Sequence, residues 1–247
     1  MSGPPTVLLL HAADPLGEEG ILADSAAIRD LGCRPATVTT GFLFPRRPGG
    51  SAVAALPLPL VAEQFEAAIA AASPAAARVG ILADPLHVET VATLLHDCGA
   101  RDVVVAPVVR SGGARIASED TLDAIRRELF PLARVVIVRA ADLFSLTGER
   151  SSDLPGLERG AREIRAQGAR AALVTGGIRD ERIFDVLDEG GRAAVLDASR
   201  VAAPRPAGAV GAHPAAVAAF LALGATLLRA ADAAQRHMTL RLDRGSR

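Results

Sequence analysis

Short apolar runs of strand length recur along this chain, each separated from the next by a stretch with apolar residues at helical spacing. Residues 6–11, 36–40, 78–82, 102–106, 134–138 and 171–175 read as strands, and residues 20–31, 60–72, 85–98, 118–129 and 154–167 read as helices. Two strands joined through a helix of ten or more residues cannot form a tight hairpin, and such a crossover is the usual connection between parallel strands. The alternation therefore predicts an α/β fold, a mostly parallel central sheet with helices on both faces. Residues 182–187 and 192–196 flank Asp188-Glu189-Gly190-Gly191, the composition of a hairpin turn. Residues 214–223 and 225–236 return to helical spacing, with Pro214 suited to a first helical position and His213 placed to cap it. Residues 42–59, rich in Pro, Gly and Arg, read as a loop or flap, and residues 40–51 are expected to order only on binding. With no internal repeat and no linker, residues 1–247 are expected to form one domain with a core over about 6–236 and a frayed polar end.

Half of the residues are hydrophobic, yet there are seven Phe and no Trp or Tyr, so the core must be Ala, Val, Leu and Ile. The formal net charge is −1 with both signs interspersed. No basic face or aromatic platform invites nucleic acid. The first apolar run is far too short to span a membrane and no basic segment precedes it, so a cytoplasmic protein is expected. Cys33 and Cys98 sit beside or near glycines in apolar surroundings and suggest neither a disulfide framework nor a metal site. The chain contains no lysine, which excludes a Schiff base and a phosphate-binding lysine.

In an open parallel sheet, ligands bind beyond the carboxyl ends of the strands. That rule singles out residues 11–20, 40–51, 107–115, 139–145, 176–180 and 207–213. The turn Gly208-Ala209-Val210-Gly211 runs into a helix, and free backbone N–H groups at a helix start suit an anion. Nothing in that turn can act as a base. His213, two positions on, is either a base in a re-registered turn or a cap. Arg110 and Arg139 are either phosphate partners or surface arginines. Asp14 is either a substrate contact or, before Pro15, a turn former. Gly176 and Gly177 either admit a nucleotide or simply turn the chain. His11, Asp14, Glu18 and Glu19 follow no known ligand spacing, and no metal is expected there.

The order of these loops resembles the hydroxymethylpyrimidine and phosphomethylpyrimidine kinases of thiamine biosynthesis, within the ribokinase-like superfamily. His11-Ala12-Ala13-Asp14-Pro15-Leu16-Gly17-Glu18-Glu19-Gly20-Ile21-Leu22-Ala23-Asp24 is similar to the family pattern A-G-S-D-P-S-G-G-A-G-I-Q-A-D. Leu56-Pro57-Leu58-Pro59, Gly80-Ile81-Leu82, Pro107-Val108-Val109-Arg110-Ser111-Gly112-Gly113, Leu146-Thr147-Gly148 and Leu173-Val174-Thr175-Gly176-Gly177 follow in the family order. The resemblance implies a three-layer ribokinase-like fold, a cytoplasmic homodimer and a small pyrimidine-like ligand, with ATP and magnesium as cofactors if the chain is active. It implies substrate contacts at Asp14, Gly17, Gly20 and Arg110, and nucleotide or anion contacts at Gly176, Gly177, Gly208, Gly211 and Arg139.

The functional motifs depart from the pattern where chemistry is done. The G-T-G-C turn becomes Gly208-Ala209-Val210-Gly211, so the expected catalytic cysteine is Gly211. The lysine of V-K-G-G becomes Thr175, and the aspartate of D-P-V becomes Ala106. The metal-associated N-x-x-E becomes Arg139-Ala140-Ala141-Asp142. The pyrimidine-reading glutamine of the flap falls near Pro45, and Glu18 and Glu19 bring charge to a substrate loop of small residues. Phosphoryl transfer rests on positioning and charge neutralisation, and removing one such group commonly costs roughly 10²–10³ in rate. Three readings stay open at this point: a ligand- or partner-binding protein with little phosphoryl transfer, an active kinase using His213 and an arginine, and a structural or regulatory dimer.

Overall fold

The computed structural model describes residues 3–17, 19–45, 50–150, 153–179, 182–191, 193–200 and 212–245. The first strand, β1 (Thr6–Ala13), is buried along nearly its whole length, as its unbroken apolar run requires of a strand covered on both faces. It leads into helix α1 (Gly20–Asp30), β2 (Arg34–Pro45), β3 (Ser51–Ala55) and α2 (Leu58–Ala71). Then follow β4 (Ala76–Val79), α3 (Pro85–Asp97), β5 (Val103–Val105) and a small ribbon of β6 (Arg110–Ser111) and β7 (Ala114–Arg115). Helix α4 (Glu119–Ala124) continues into a π-helical turn at Ile125–Leu129. The Ser118 hydroxyl caps α4 by accepting from the Thr121 amide at 3.1 Å. Strand β8 (Val135–Arg139), α5 (Leu143–Thr147), α6 (Leu154–Ala166), β9 (Ala172–Arg179), β10 (Arg182–Asp188) and β11 (Ala194–Arg200) come next. Helices α7 (His213–Ala222) and α8 (Leu227–Gly245) close the chain.

One nine-stranded sheet runs in the order β11-β10-β9-β8-β5-β4-β1-β2-β3. Its six central strands are parallel, and the flanking pairs β2–β3, β9–β10 and β10–β11 are antiparallel. Side chains alternate between the faces, as the pleat demands. Leu8 and Leu10 join the core beneath α2, α3 and α6, whereas Val7 and Leu9 join the core with α1, α7 and α8. The second core is dominated by alanine where α7 lies on the sheet: Ala215, Ala216, Ala218 and Ala219 have no exposed surface. Small side chains let that helix sit close to the strand ends, which brings its first turn into the site.

Residues 42–59 are more ordered than their composition suggests. Strand β2 continues through Phe42, Leu43 and Phe44 to Pro45 and pairs with β3, Phe42 facing Ala54 and Phe44 facing Ala52. Pro57 and Pro59 belong to the start of α2, and residues 46–49, the middle of the expected flap, lie outside the described residues. Gly41 has a physical reason: a Cβ there would lie 2.4 Å from the Ala54 carbonyl oxygen. Among the described residues no helix is long and apolar enough to cross a membrane.

Candidate functional site

A cavity of about 300 Å³ opens at the carboxyl ends of the central strands, where a parallel sheet is expected to bind ligands. His11 from β1 and Arg78 from β4 form its deep end. Ala106, Pro107 and Val108 after β5, and Arg139 at the end of β8 with Ala140 and Ala141 after it, form one wall. Thr175 and Gly176 of β9, Asp185 of β10, and His213, Gln235 and Met238 of the last two helices form the other. Glu19 and Gly20 stand at the start of α1.

The loop from β1 to α1 is built by Asp14. Its Oδ1 accepts from the Leu16 amide and its Oδ2 from the Glu19 amide, both at 3.0 Å. Its carbonyl accepts from the amide of Gly17, which takes a left-handed φ of 71°. Gly20 enters α1 at φ 69°, and a Cβ there would sit 2.2 Å from the Ala12 carbonyl oxygen, so only glycine fits this close approach. The Glu19 carboxylate accepts from the Ser111 hydroxyl at 3.0 Å and ties the loop to the β6–β7 ribbon.

The deep end is polar although it is buried. Arg78 Nε lies 3.0 Å from Asp24 Oδ2, and both side chains are all but inaccessible. Burial raises the Asp24 carboxyl to about 6, with the Arg78 charge pulling the other way. Burial likewise lowers the Arg78 guanidinium, against the pull of Asp24. Burial, and then the Arg78 charge, hold His11 well below the usual imidazole range, so it is neutral. The Ile81 amide donates to His11 Nδ1 at 3.3 Å. An accepting Nδ1 places the ring proton on Nε2.

On the β9 side, Asp185 organises the turn. Its Oδ1 accepts from the Gly176 amide at 2.9 Å and its Oδ2 from Gln235 Nε2 at 3.0 Å. At the end of β8, Arg139 Nε donates to Asp142 Oδ2 at 2.7 Å, and Arg139 Nη2 donates to the Arg110 carbonyl at 3.0 Å. The Asp142 carboxylate is almost wholly buried in this pair.

The structure thus brings Gly20, Arg139, Gly176 and His213 to one cavity. His213 is the first residue of α7, with Ala212 in the capping position and Pro214 one residue further in than expected. Asp14 and Gly17 shape the loop without joining the lining, and Arg110 is exposed on β6. Gly177 faces away from the cavity, where a Cβ would meet Leu157 and Phe184 side chains at 2.6 Å. Gly208 and Gly211 lie outside the described residues. Sequence reasoning passed over Arg78, Asp185 and Gln235. An arginine between Ala77 and Val79 in an apolar run was the available signal for the first; the other two carry none.

The sequence profile of the family described as phosphomethylpyrimidine kinase matches residues 14–247. This chain belongs to that family. The hydroxymethylpyrimidine/phosphomethylpyrimidine kinase of Streptomyces coelicolor is 30% identical over 236 residues, covering 96% of this chain and 88% of that one. The Mycobacterium tuberculosis protein of the same name is 30% identical over 240 residues, covering 96% and 87%. Among solved structures, the ADP complex of Bacillus subtilis pyridoxal kinase superposes with a TM-score of 0.87 at 25% identity, covering 95% of this chain and 90% of that chain. A Clostridium difficile phosphomethylpyrimidine kinase gives 0.82 at 22% identity, covering 96% and 99%, and supports the fold. The ribokinase-like α/β architecture expected from the phosphomethylpyrimidine kinase resemblance is the one observed.

Proposed function

We propose that this member of the phosphomethylpyrimidine kinase family binds a small pyrimidine-like molecule in the strand-end cavity and transfers phosphoryl groups little or not at all. One observation carries the reading. Where the family pattern has a metal-associated N-x-x-E, Arg139 and Asp142 neutralise one another. A carboxylate already paired with a guanidinium offers a divalent cation little charge, and hard cations need oxygen ligands. These residues therefore do not fit a family-type magnesium ion. Among the described residues no three His, Cys, Asp or Glu side chains gather as a metal site elsewhere. Ala106 and Thr175, in the same walls, supply neither base nor cation.

An active kinase is the second reading, favoured by His213 and Arg139 sharing the cavity. An open cavity of this size gives a purely structural role no support. A cytoplasmic, one-domain homodimer belongs to the same proposal, and light scattering tests its assembly. The deciding experiment is turnover of hydroxymethylpyrimidine with ATP and magnesium, beside calorimetric titration of the pyrimidine alone. Binding without turnover supports the proposal. Steady turnover at ordinary kinase rates, lost in His213→Ala, establishes the second reading instead.

A further inference from the structure

His11 and Arg78 present two hydrogen-bond donors side by side at the deep end of the cavity. The Ile81 amide occupies His11 Nδ1, which leaves the Nε2 proton to point elsewhere. Arg78 Nη1 is buried and finds no hydrogen-bond partner among the described residues. A Cβ on Gly80 would lie 2.4 Å from His11 Nε2 and 2.4 Å from Arg78 Nη1. Glycine at this position is what lets the two nitrogens converge. Nearly every buried polar group in a folded protein is satisfied, so a buried guanidinium N–H beside a ligand cavity asks for an acceptor from the ligand.

The acceptor need not be charged. Asp24 already provides the counter-charge to Arg78, and His11 carries none in its neutral form. A second anion here would face the Asp24 carboxylate across the same guanidinium. A neutral acceptor suits both donors without that repulsion.

We infer that His11 and Arg78 form a two-donor recognition edge, and that the ligand buries a carbonyl-type acceptor edge against it: an oxopyrimidine in place of an aminopyrimidine. An exocyclic amino group in that place would set N–H against N–H and leave the protein donors unpaired, and sites built to pair a polar group reject analogues that cannot do so. The inference rests on the pyrimidine reading above and refines it.

The test is calorimetric titration of the full chain with 2-methyl-4-amino-5-hydroxymethylpyrimidine and with its 4-oxo counterpart, repeated on His11→Ala. The expected result is tighter binding of the oxo compound, by roughly tenfold or more for one well-made hydrogen bond, with the preference lost in His11→Ala. A second readout needs no variant: the His11 Nε2–H resonance should move downfield when the oxo compound binds. Equal or tighter binding of the amino compound overturns the inference and leaves the pyrimidine reading standing. An unmoved His11 resonance, or an unchanged preference in a folded His11→Ala, overturns it as well. Binding of neither compound overturns both.

Discussion

Arg78 Nε and Asp24 Oδ2 lie 3.0 Å apart between strand β4 and helix α1, with neither side chain exposed beyond 2%. Desolvating two charges is expensive, and their attraction roughly repays it only while both are present. Removing Arg78 alone should cost about 3–5 kcal/mol, because the Asp24 carboxyl is left buried without its counter-charge. The pair is thus a poor source of stability but a strict constraint on what may change beside the cavity.

The same pair predicts an unusual pH dependence. The Asp24 carboxyl is raised by burial from its ordinary 3.8 to about 6. A folded state that holds its proton more tightly than the unfolded chain is favoured at low pH. The contribution is present in full below the unfolded value and is lost as pH rises through about 6. Its full size is on the order of 3 kcal/mol. In urea melts from pH 4 to 7, wild type should lose stability relative to Asp24→Asn as pH rises. A flat difference between the two would mean that Asp24 is not perturbed in this way.

Arg78 also shows where sequence reading stops. The alternation of runs was enough to place most strands and helices, because period and length are local properties. The Pro and Gly signals of 42–59 hide the second half of strand β2 in the sequence, because Phe42, Leu43 and Phe44 are all apolar and only their burial in the structure alternates. Within the site, the glycines and Arg139 were legible from the strand-end rule. Asp185, by contrast, sits in a run that reads as an ordinary strand, and its partners Gly176 and Gln235 come from two other elements. Such pairings are made by the fold, and no spacing in the chain records them.

Gly20 should tolerate no side chain. A Cβ would lie 2.2 Å from the Ala12 carbonyl oxygen, on a backbone with φ of 69°. Left-handed strain for a non-glycine residue costs on the order of 1–3 kcal/mol, before the clash with backbone is counted. Gly20→Ala should lower the melting temperature by several degrees and weaken ligand binding, since Glu19 and Gly20 line the cavity together. Gly32→Ala makes a useful comparison: Gly32 has a φ of 77°, but no atom of the described residues beyond its chain neighbours lies within 4 Å of the new Cβ. It should show the strain without the loss of binding.

Asp185→Ala should loosen the β9 turn. The change removes the acceptor for the Gly176 amide and for Gln235 Nε2. Leaving buried donors short of an acceptor costs about 1–3 kcal/mol. Gly176 holds a left-handed φ of 83° and lines the cavity, so the turn and the site should suffer together. Hydrogen exchange at the Gly176 amide gives the direct readout: it should speed up in the variant. Unchanged protection would show that the strand pairing alone holds the turn.

The last prediction concerns the Arg139–Asp142 pair. If the guanidinium is what denies a divalent cation its carboxylate, then Arg139→Asn should free Asp142 and restore the N-x-x-acid order of the family pattern. Wild type should melt at the same temperature with and without millimolar magnesium. The variant should start out less stable, because a nearly buried carboxylate has lost its partner, and should then regain stability on adding magnesium. A cation present at about ten times its dissociation constant stabilises by about 1.4 kcal/mol. For a chain of this length each kcal/mol moves the midpoint by about 2–4 °C. Calcium, with its longer bonds and larger coordination number, should help less if the freed site has magnesium geometry. A magnesium-dependent shift in wild type would overturn the argument. So would a variant that stays insensitive to the ion, since the pair would then be a consequence of the lost metal site and not its cause.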